Sequence, residues 1–213
     1  MRKTKTTGFA ALFAAIALAG LVGGVLIVTR EATPRFEVEL TAEAAQAIAQ
    51  LGLEVPVTGR VFVVLTRDST REPREQVDVT GVPFYGMDVR DLAPGQSVVV
   101  SDATPGLAGY PLARIADLPP GEYYVQAFLN VYTTYHRADG RTLEMHHETG
   151  EGQNVWRSPG NAYSAVQRVR LDPRSNSSIT LQLGSVIPPI EPVPEGGVLD
   201  QGNPQDGELV KFI

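Results

Sequence analysis

Residues 8–28 form one apolar segment, GFAALFAAIALAGLVGGVLIV, which contains no charged residue. As a helix with a rise of about 1.5 Å per residue it would be about 31 Å long, close to the thickness of a bilayer's hydrocarbon core. Three basic residues, Arg2, Lys3 and Lys5, precede it. Because basic flanks stay on the cytoplasmic side, they predict that the rest of the chain is exported.

The apolar segment has two interpretations, a retained anchor and a cleaved signal peptide. Ala17-Leu18-Ala19 offers a cleavage site, but the apolar run continues to Val28. Eleven of its twenty-one residues are Leu, Ile, Val or Phe, which favour insertion into a bilayer. We expect a single-pass helix retained in a bacterial inner membrane, with the N-terminus in the cytoplasm and the main domain in the periplasm.

Small residues recur along this segment at a spacing typical of packed membrane helices. Steps of four residues keep them on one slowly turning stripe, where another helix can approach closely. The stripe predicts a helical partner in the membrane, although Ala-rich composition is also common in signal segments. The helix-packing residues are Ala11, Ala15, Ala19, Gly20, Gly23 and Gly24.

Charge and cysteine content exclude several classes of function. Residues 1–30 hold four basic and no acidic groups, so the net charge of −6 leaves −10 on residues 31–213. Such an acidic domain lacks the basic patch that nucleic acid requires. The chain has no cysteine, which excludes disulfides, thiolate zinc sites and a cysteine nucleophile.

Short β-branched runs separated by Pro and Gly predict an all-β fold. VTGRVFVVLTR at 57–67 is the strongest strand signal, and further strands are expected at 77–79, 97–100, 112–115, 141–148, 166–171 and 178–183. The alanine-rich residues 41–51 predict one short helix, which Thr41 can cap. We divide the chain into the anchor (1–30), a linker with a short strand and helix (31–56), a β-sandwich (57–190) and an extended Pro/Gly/acidic tail (191–213).

The sequence DLPPGEYYVQA at 117–127 predicts a tight turn that leads into a long strand. A tyrosine that begins a strand after such a turn is typical of the tyrosine corner in Greek-key sandwiches. Pro120, Gly121 and Tyr123 are therefore the predicted structural turn. Together with the number of strands, the turn indicates an Ig-like, Greek-key β-sandwich.

No motif supports a catalytic, cofactor or metal site. The string GQSVV at 95–99 lacks the second glycine of a nucleophile elbow, and EMHHE at 144–148 does not have the order of a zinc-protease motif. On a strand, Glu144, His146 and Glu148 would share one face. His146, His147, Trp156 and Tyr163 are candidates for a surface that binds a partner or a ligand. For Trp156, packing of its loop onto the edge of the sandwich is the favoured alternative.

Four strings occur in an order that resembles a known module: GRVFVVLTR (59–67), LPPGEYYVQAFLNVY (118–132), GEGQNVWRSPGNAYS (150–164) and VIPPI (186–190). Together they resemble the β-sandwich that precedes the catalytic domain in certain exported bacterial esterases. The resemblance implies that the Ser-His-Asp machinery belongs to a downstream α/β-hydrolase domain. No catalytic residue carries over, because the chain ends where that domain would begin, and the anchor departs from the family.

These observations predict a non-catalytic, membrane-anchored exterior domain that serves as an accessory or scaffolding subunit. Its partners would be other membrane protein subunits, such as those of a photosynthetic or respiratory complex, and the bilayer through residues 8–28. No cofactor and no nucleic acid are expected. The alternative is a substrate-binding or structural module of an esterase-like hydrolase system.

Overall fold

The computed structural model describes residues 33–147 and 154–190, in which β-strands are the main secondary structure, with one short α-helix. The predicted all-β class is therefore confirmed. The described residues also hold 3₁₀ turns at Pro73–Gln76, Ile115–Asp117 and Val155–Arg157. In chain order the main elements are β1 (Arg35–Leu40), α1 (Ala42–Gln50), β2 (Val57–Thr66), β3 (Phe84–Leu92), β4 (Ser97–Val100), β5 (Ala108–Tyr110), β6 (Gly121–His136), β7 (Thr142–His146), β8 (Ala162–Ser164), β9 (Gln167–Leu171) and β10 (Ser178–Val186).

Hydrogen bonds join the strands of the described residues into one curled sheet. Its main path runs β4-β1-β10-β8-β6-β2-β3-β5, and both β7 and β9 also pair with β6. Strands β1 and β10 are parallel, and the other pairings are antiparallel. The curl places Val38 of β1 and Val63 of β2 in the same buried core.

Strand β6 organises the sheet because it pairs with four other strands along its length. It pairs with β9 over 121–125, with β8 at 128–129 and with β7 over 132–136. It also pairs with β2 over 124–131. Val125, Ala127 and Leu129 point into the core and are fully buried. Since neighbouring side chains on a strand point to opposite faces, Gln126 and Phe128 lie on the other face.

Strand β1 and helix α1 belong to the folded body, although the sequence assigned residues 31–56 to a linker. Strand β1 lies between β4 and β10 in the sheet, and its Phe36, Val38 and Leu40 are fully buried. Thr41 caps α1 as predicted, because its Oγ1 accepts a hydrogen bond from the N–H of Ala44 at 3.1 Å. The compact unit therefore begins before residue 57.

Two of the predicted short strands are wrong. Residues 77–79 follow a 3₁₀ turn, and Val79 is 81% exposed. Residues 112–115 lead into another 3₁₀ turn, whose N–H groups at Ile115 and Ala116 donate to the carboxylate of Asp102 at 2.7 and 3.0 Å. In both places backbone N–H groups donate to side-chain carboxylates or within turns, and not to a neighbouring strand.

Within residues 33–147 and 154–190, no helix combines the length and the hydropathy needed to cross a bilayer. The predicted anchor, with Ala11, Ala15, Ala19, Gly20, Gly23 and Gly24, lies outside the described residues. The predicted tail over 191–213 also lies outside them.

Candidate interaction surface

The predicted turn at Pro120, Gly121 and Tyr123 is built around the tyrosine hydroxyl. This hydroxyl donates to the carbonyl oxygen of Pro119, four residues earlier in the chain, at 2.6 Å. The guanidinium of Arg67 lies over the Tyr123 ring at 4.9 Å and donates to the carbonyl oxygens of Pro119 and Pro120. The turn is therefore occupied by internal contacts and has a structural role.

The outer face of β6 is covered by residues 67–76, which are held by buried amides. The Nε2 group of Gln76 donates to the carbonyl oxygens of Asp68 and Arg71, and its Oε1 accepts from Thr66. Gln126 is 1% exposed, and its Oε1 accepts from the backbone N–H of Arg74 at 3.1 Å. Because buried amides are costly without partners, this network fixes where the segment crosses the sheet.

The carboxylate of Glu72 is a charged member of this hydrogen-bond network. Burial raises its pKa, but hydrogen bonds from Gln126 and Arg74, together with the charge of Arg74, outweigh burial and hold the pKa below its usual value. The Glu72 carboxylate lies 3.0 Å from Nε2 of Gln126 and 2.8 Å from Nε of Arg74. The covering segment is thus tied to β6 partly by an ionised carboxylate.

The lowered pKa of Glu72 predicts an acid-sensitive contribution to stability. A carboxylate whose pKa is lower in the folded state stabilises the fold above its unfolded pKa of about 4.3, and this stabilisation is lost as the pH falls through the folded value. We expect Glu72→Gln to reduce the free energy of unfolding by up to about 1 kcal/mol at pH 7, because the side chain is partly exposed. The difference from the wild type should shrink with acidification below about pH 4.3.

Urea unfolding of both proteins at several pH values measures this difference. Glu54→Gln, at an exposed position after α1, is the matched control for the removal of one carboxylate. A difference between Glu72→Gln and the wild type that stays constant down to low pH would contradict the prediction.

Trp156 and Tyr163 were candidates for a ligand or partner surface, with loop packing as the favoured alternative for Trp156, and both make internal contacts. The Trp156 ring lies 4.7 Å from that of Phe128 and 5.1 Å from that of Phe62. The guanidinium of Arg74 lies 4.5 Å from the ring centre of Tyr163. Both side chains are partly buried, and such ring and cation contacts stabilise their positions. The two residues therefore fasten residues 154–164 to the outer face of β6.

His146 connects the β6–β7 hairpin to the segment after residue 153. Its Nδ1 lies 2.8 Å from Oδ1 of Asn130, and its Nε2 lies 2.9 Å from Oγ of Ser158. The Ser158 hydroxyl also lies 3.1 Å from the carbonyl oxygen of Asn154, to which it donates. A hydroxyl, an imidazole and an orienting amide in this order have the spacing of a nucleophilic triad.

Access and charge stabilisation argue against catalysis by this triad. Ser158 is 1% exposed, so a substrate cannot reach its Oγ in this conformation. An oxyanion needs preorganised N–H donors, but the N–H groups of Ser158, Gly160 and Asn161 all donate to backbone carbonyl oxygens. Pro159 has no N–H to offer. These hydrogen bonds therefore hold the β6–β7 hairpin against the segment that contains Ser158. We call Asn130, His146 and Ser158 the internal latch.

The acidic and histidine residues of β7 do not gather around a metal position. Glu144 forms an ion pair with Arg90 at 2.6 Å. Among the described residues, no group of three or more His, Asp and Glu side chains has a metal-binding arrangement. Glu148, which the sequence places on the same face of this strand, lies outside the described residues.

The β6–β7 hairpin carries large apolar side chains in solvent. Tyr135 lies opposite Leu143, and Thr133 lies opposite Met145, so these side chains project from one face. Tyr135 is 38% exposed, Leu143 is 40% exposed and Met145 is 50% exposed. We call Tyr135, Leu143 and Met145 the apolar hairpin face.

A groove adjoins this face through His147. The Nδ1 atom of His147 lies 3.4 Å from the Tyr135 hydroxyl, and its side chain also lines the groove. The groove has a volume of about 270 Å³ and an apolar majority among its walls, which are Leu51, Leu53, His147, Pro159, Pro189 and Ile190. Adjacent exposed apolar surface of this kind is characteristic of interaction sites.

Sequence reasoning singled out His146 and His147 but not the apolar hairpin face beside them. Strand alternation turns the two histidines to opposite sides, which leaves His146 in the latch and His147 at the groove. The alternation of Leu143 and Met145 with polar neighbours was the available signal. Comparison of the chain with protein-family models, curated proteins and solved structures finds no match.

Proposed function

We propose that this chain is a non-catalytic accessory subunit that binds a protein partner outside the cytoplasmic membrane through the apolar hairpin face. The observation that carries the proposal is the exposure of Tyr135, Leu143 and Met145 on one side of a hairpin. The contacts of the candidate catalytic and ligand-binding residues support the proposal indirectly. His146, Glu144 and Trp156 all make internal contacts.

The placement and architecture of the domain are part of the proposal. Residues 8–28 would hold the domain at a bacterial inner membrane, with the exterior part in the periplasm. The curled sheet would be an Ig-like, Greek-key sandwich, in which the tyrosine corner at Tyr123 has its usual role. The small-residue stripe would add a second contact with the same membrane complex.

The substrate-binding module of an esterase-like system is less well supported by the geometry. That function would need the aromatic rings of Trp156 and Tyr163 to be available to a ligand. The guanidinium of Arg74 lies over one face of the Tyr163 ring, and Trp156 packs on Phe62 and Phe128. The contacts of these residues favour a structural role.

Replacement of the apolar hairpin face by serine tests the proposed function. In mild detergent, we expect the wild-type full chain to co-purify with a stoichiometric partner, and the triple variant Tyr135→Ser, Leu143→Ser, Met145→Ser to retain less than about a tenth of it. Loss of exposed apolar contacts explains the effect, and surface changes of this kind alter folding stability by only about 0.5 kcal/mol each.

The variant Val79→Ser, Val166→Ser is the matched control, because both valines are exposed and lie outside the hairpin. This control should keep the partner. Intact mass of the purified protein establishes in the same preparation whether residues 1–19 are present. A wild-type chain that migrates as a lone monomer would refute the proposed function, as would a triple variant that binds as well as the wild type.

A further inference from the structure

The hairpin that carries the apolar hairpin face ends in a basic turn. Residues 138–140 form the turn, and Gly140 has a φ of +80°, which glycine adopts most easily. The N–H of Arg137 donates to the carbonyl oxygen of Arg141 at 2.9 Å, which continues the pairing beyond β6 and β7. We call Arg137 and Arg141 the arginine tip.

Strand alternation places the arginine tip on the same side as the apolar hairpin face. Tyr135 and Leu143 are opposite each other, and the next pair that projects from that side is Arg137 with Arg141. Both arginines are exposed. The one carboxylate of the turn, Asp139, lies 3.3 Å from Arg137. The tip therefore keeps a net positive charge in a domain whose net charge is −10 over residues 31–213.

From this arrangement we infer that the hairpin binds an apolar protein segment of the partner that carries carboxylates beside its apolar side chains. This inference rests on the proposed function and adds the chemistry of the partner. The apolar side chains of the segment would cover Tyr135, Leu143 and Met145, while its carboxylates would meet Arg137 and Arg141. Guanidinium groups bind carboxylates in a two-pronged geometry, which would set the register of the segment.

A bilayer surface fits the hairpin less well than such a segment. A hairpin that enters lipid would lead with its tip, and here the tip is charged while the apolar residues lie nearer the domain. Arginine in hydrocarbon is costly, so the order of residues is the reverse of what insertion needs.

A second copy of this chain also fits less well. In a two-fold contact the same patch meets itself, so each arginine tip would need a carboxylate from the same side of the other hairpin. Glu144 lies on the opposite side, where it pairs with Arg90. Asp139 is already close to Arg137 of its own turn. The hairpin therefore lacks the acceptors for a self-complementary contact.

Photo-crosslinking from position 143 in intact membranes tests this inference. A photoreactive residue at Leu143 of the full chain should form a crosslink to one partner protein, within a peptide that contains Asp or Glu. Charge reversal by Arg137→Glu and Arg141→Glu should reduce the crosslink by about ten-fold. Raising the salt to about 0.5 M should weaken the wild-type crosslink, whereas it should not weaken the residual crosslink of the variant, because salt screens the repulsion between its glutamates and the partner's carboxylates.

The double variant Arg170→Glu, Arg174→Glu makes the same charge change at exposed positions in and after β9 and should crosslink as the wild type does. A crosslink that survives the reversal of both tip charges would overturn the inference while leaving the proposed function in place. A crosslink to lipid or to a second copy would also overturn it. The absence of any protein crosslink from position 143 of the wild type would refute the proposed function itself.

Discussion

Replacement of Phe128 by alanine is expected to destabilise the fold by about 3–5 kcal/mol, a large part of the 5–15 kcal/mol that typical domains possess. Phe128 is fully buried on the outer face of β6, with the rings of Trp156 and Phe62 at 4.7 and 6.5 Å. Its removal would leave a cavity under the segment that carries Trp156. The covering segment and the sheet would then lose their shared aromatic contact.

Urea unfolding followed by tryptophan emission measures this effect directly, because Trp156 is the only tryptophan in the chain. Phe128→Leu is the control that keeps most of the apolar volume, and it should cost less than half as much. If Phe128→Ala unfolded at the same urea concentration as the wild type, the aromatic contacts on the outer face of β6 would not contribute to the stability of the fold.

The outer face of β6 shows where prediction from the sequence ends. The pattern GEYYVQAFLNVYTTY predicts a long strand, and a strand is found at Gly121–His136. The sequence does not reveal that both of its faces are buried, because the cover comes from loops without periodicity. Gln126 appears as an ordinary polar position, yet it is buried and satisfied by residues distant in sequence.

Sequence patterns also do not predict the shortest strands. Strands β5 and β8 have three residues each, too few to show alternation. Strand β8 nevertheless joins β10 to β6, so it connects the two parts of the sheet. Pairing between distant segments decides such strands, and local propensity carries little information about it.

The proposed interaction surface could be predicted from the sequence only in part. The two adjacent histidines point to the hairpin that carries the proposed surface, and strand alternation separates their directions as predicted. The role of His146 depends on Asn130 and Ser158, which lie on other segments. The exposure of Tyr135 depends on how far the hairpin extends beyond β2, which the sequence does not show.

The second large effect is expected at Val38 in β1, a strand within the predicted linker over residues 31–56. We expect Val38→Asp to cost at least about 3–5 kcal/mol, because it places a charge without a partner in the core. Val38 is fully buried and lies opposite Leu181 on one side and Val98 on the other. In a domain of ordinary stability this loss would leave a large unfolded population at 37 °C.

Circular dichroism and urea unfolding of the full chain in detergent measure the result. Glu37→Asp is the matched control, since it adds no charge and its side chain is on the outer face of the same strand, where Ser178 donates to it at 2.8 Å. The control should remain within about 0.5 kcal/mol of the wild type. A linker strand would tolerate both changes equally, so equal stability of Val38→Asp and Glu37→Asp would show that β1 does not contribute to the core. The expected contrast between adjacent positions instead follows from β1 having one face in the core and one face in solvent.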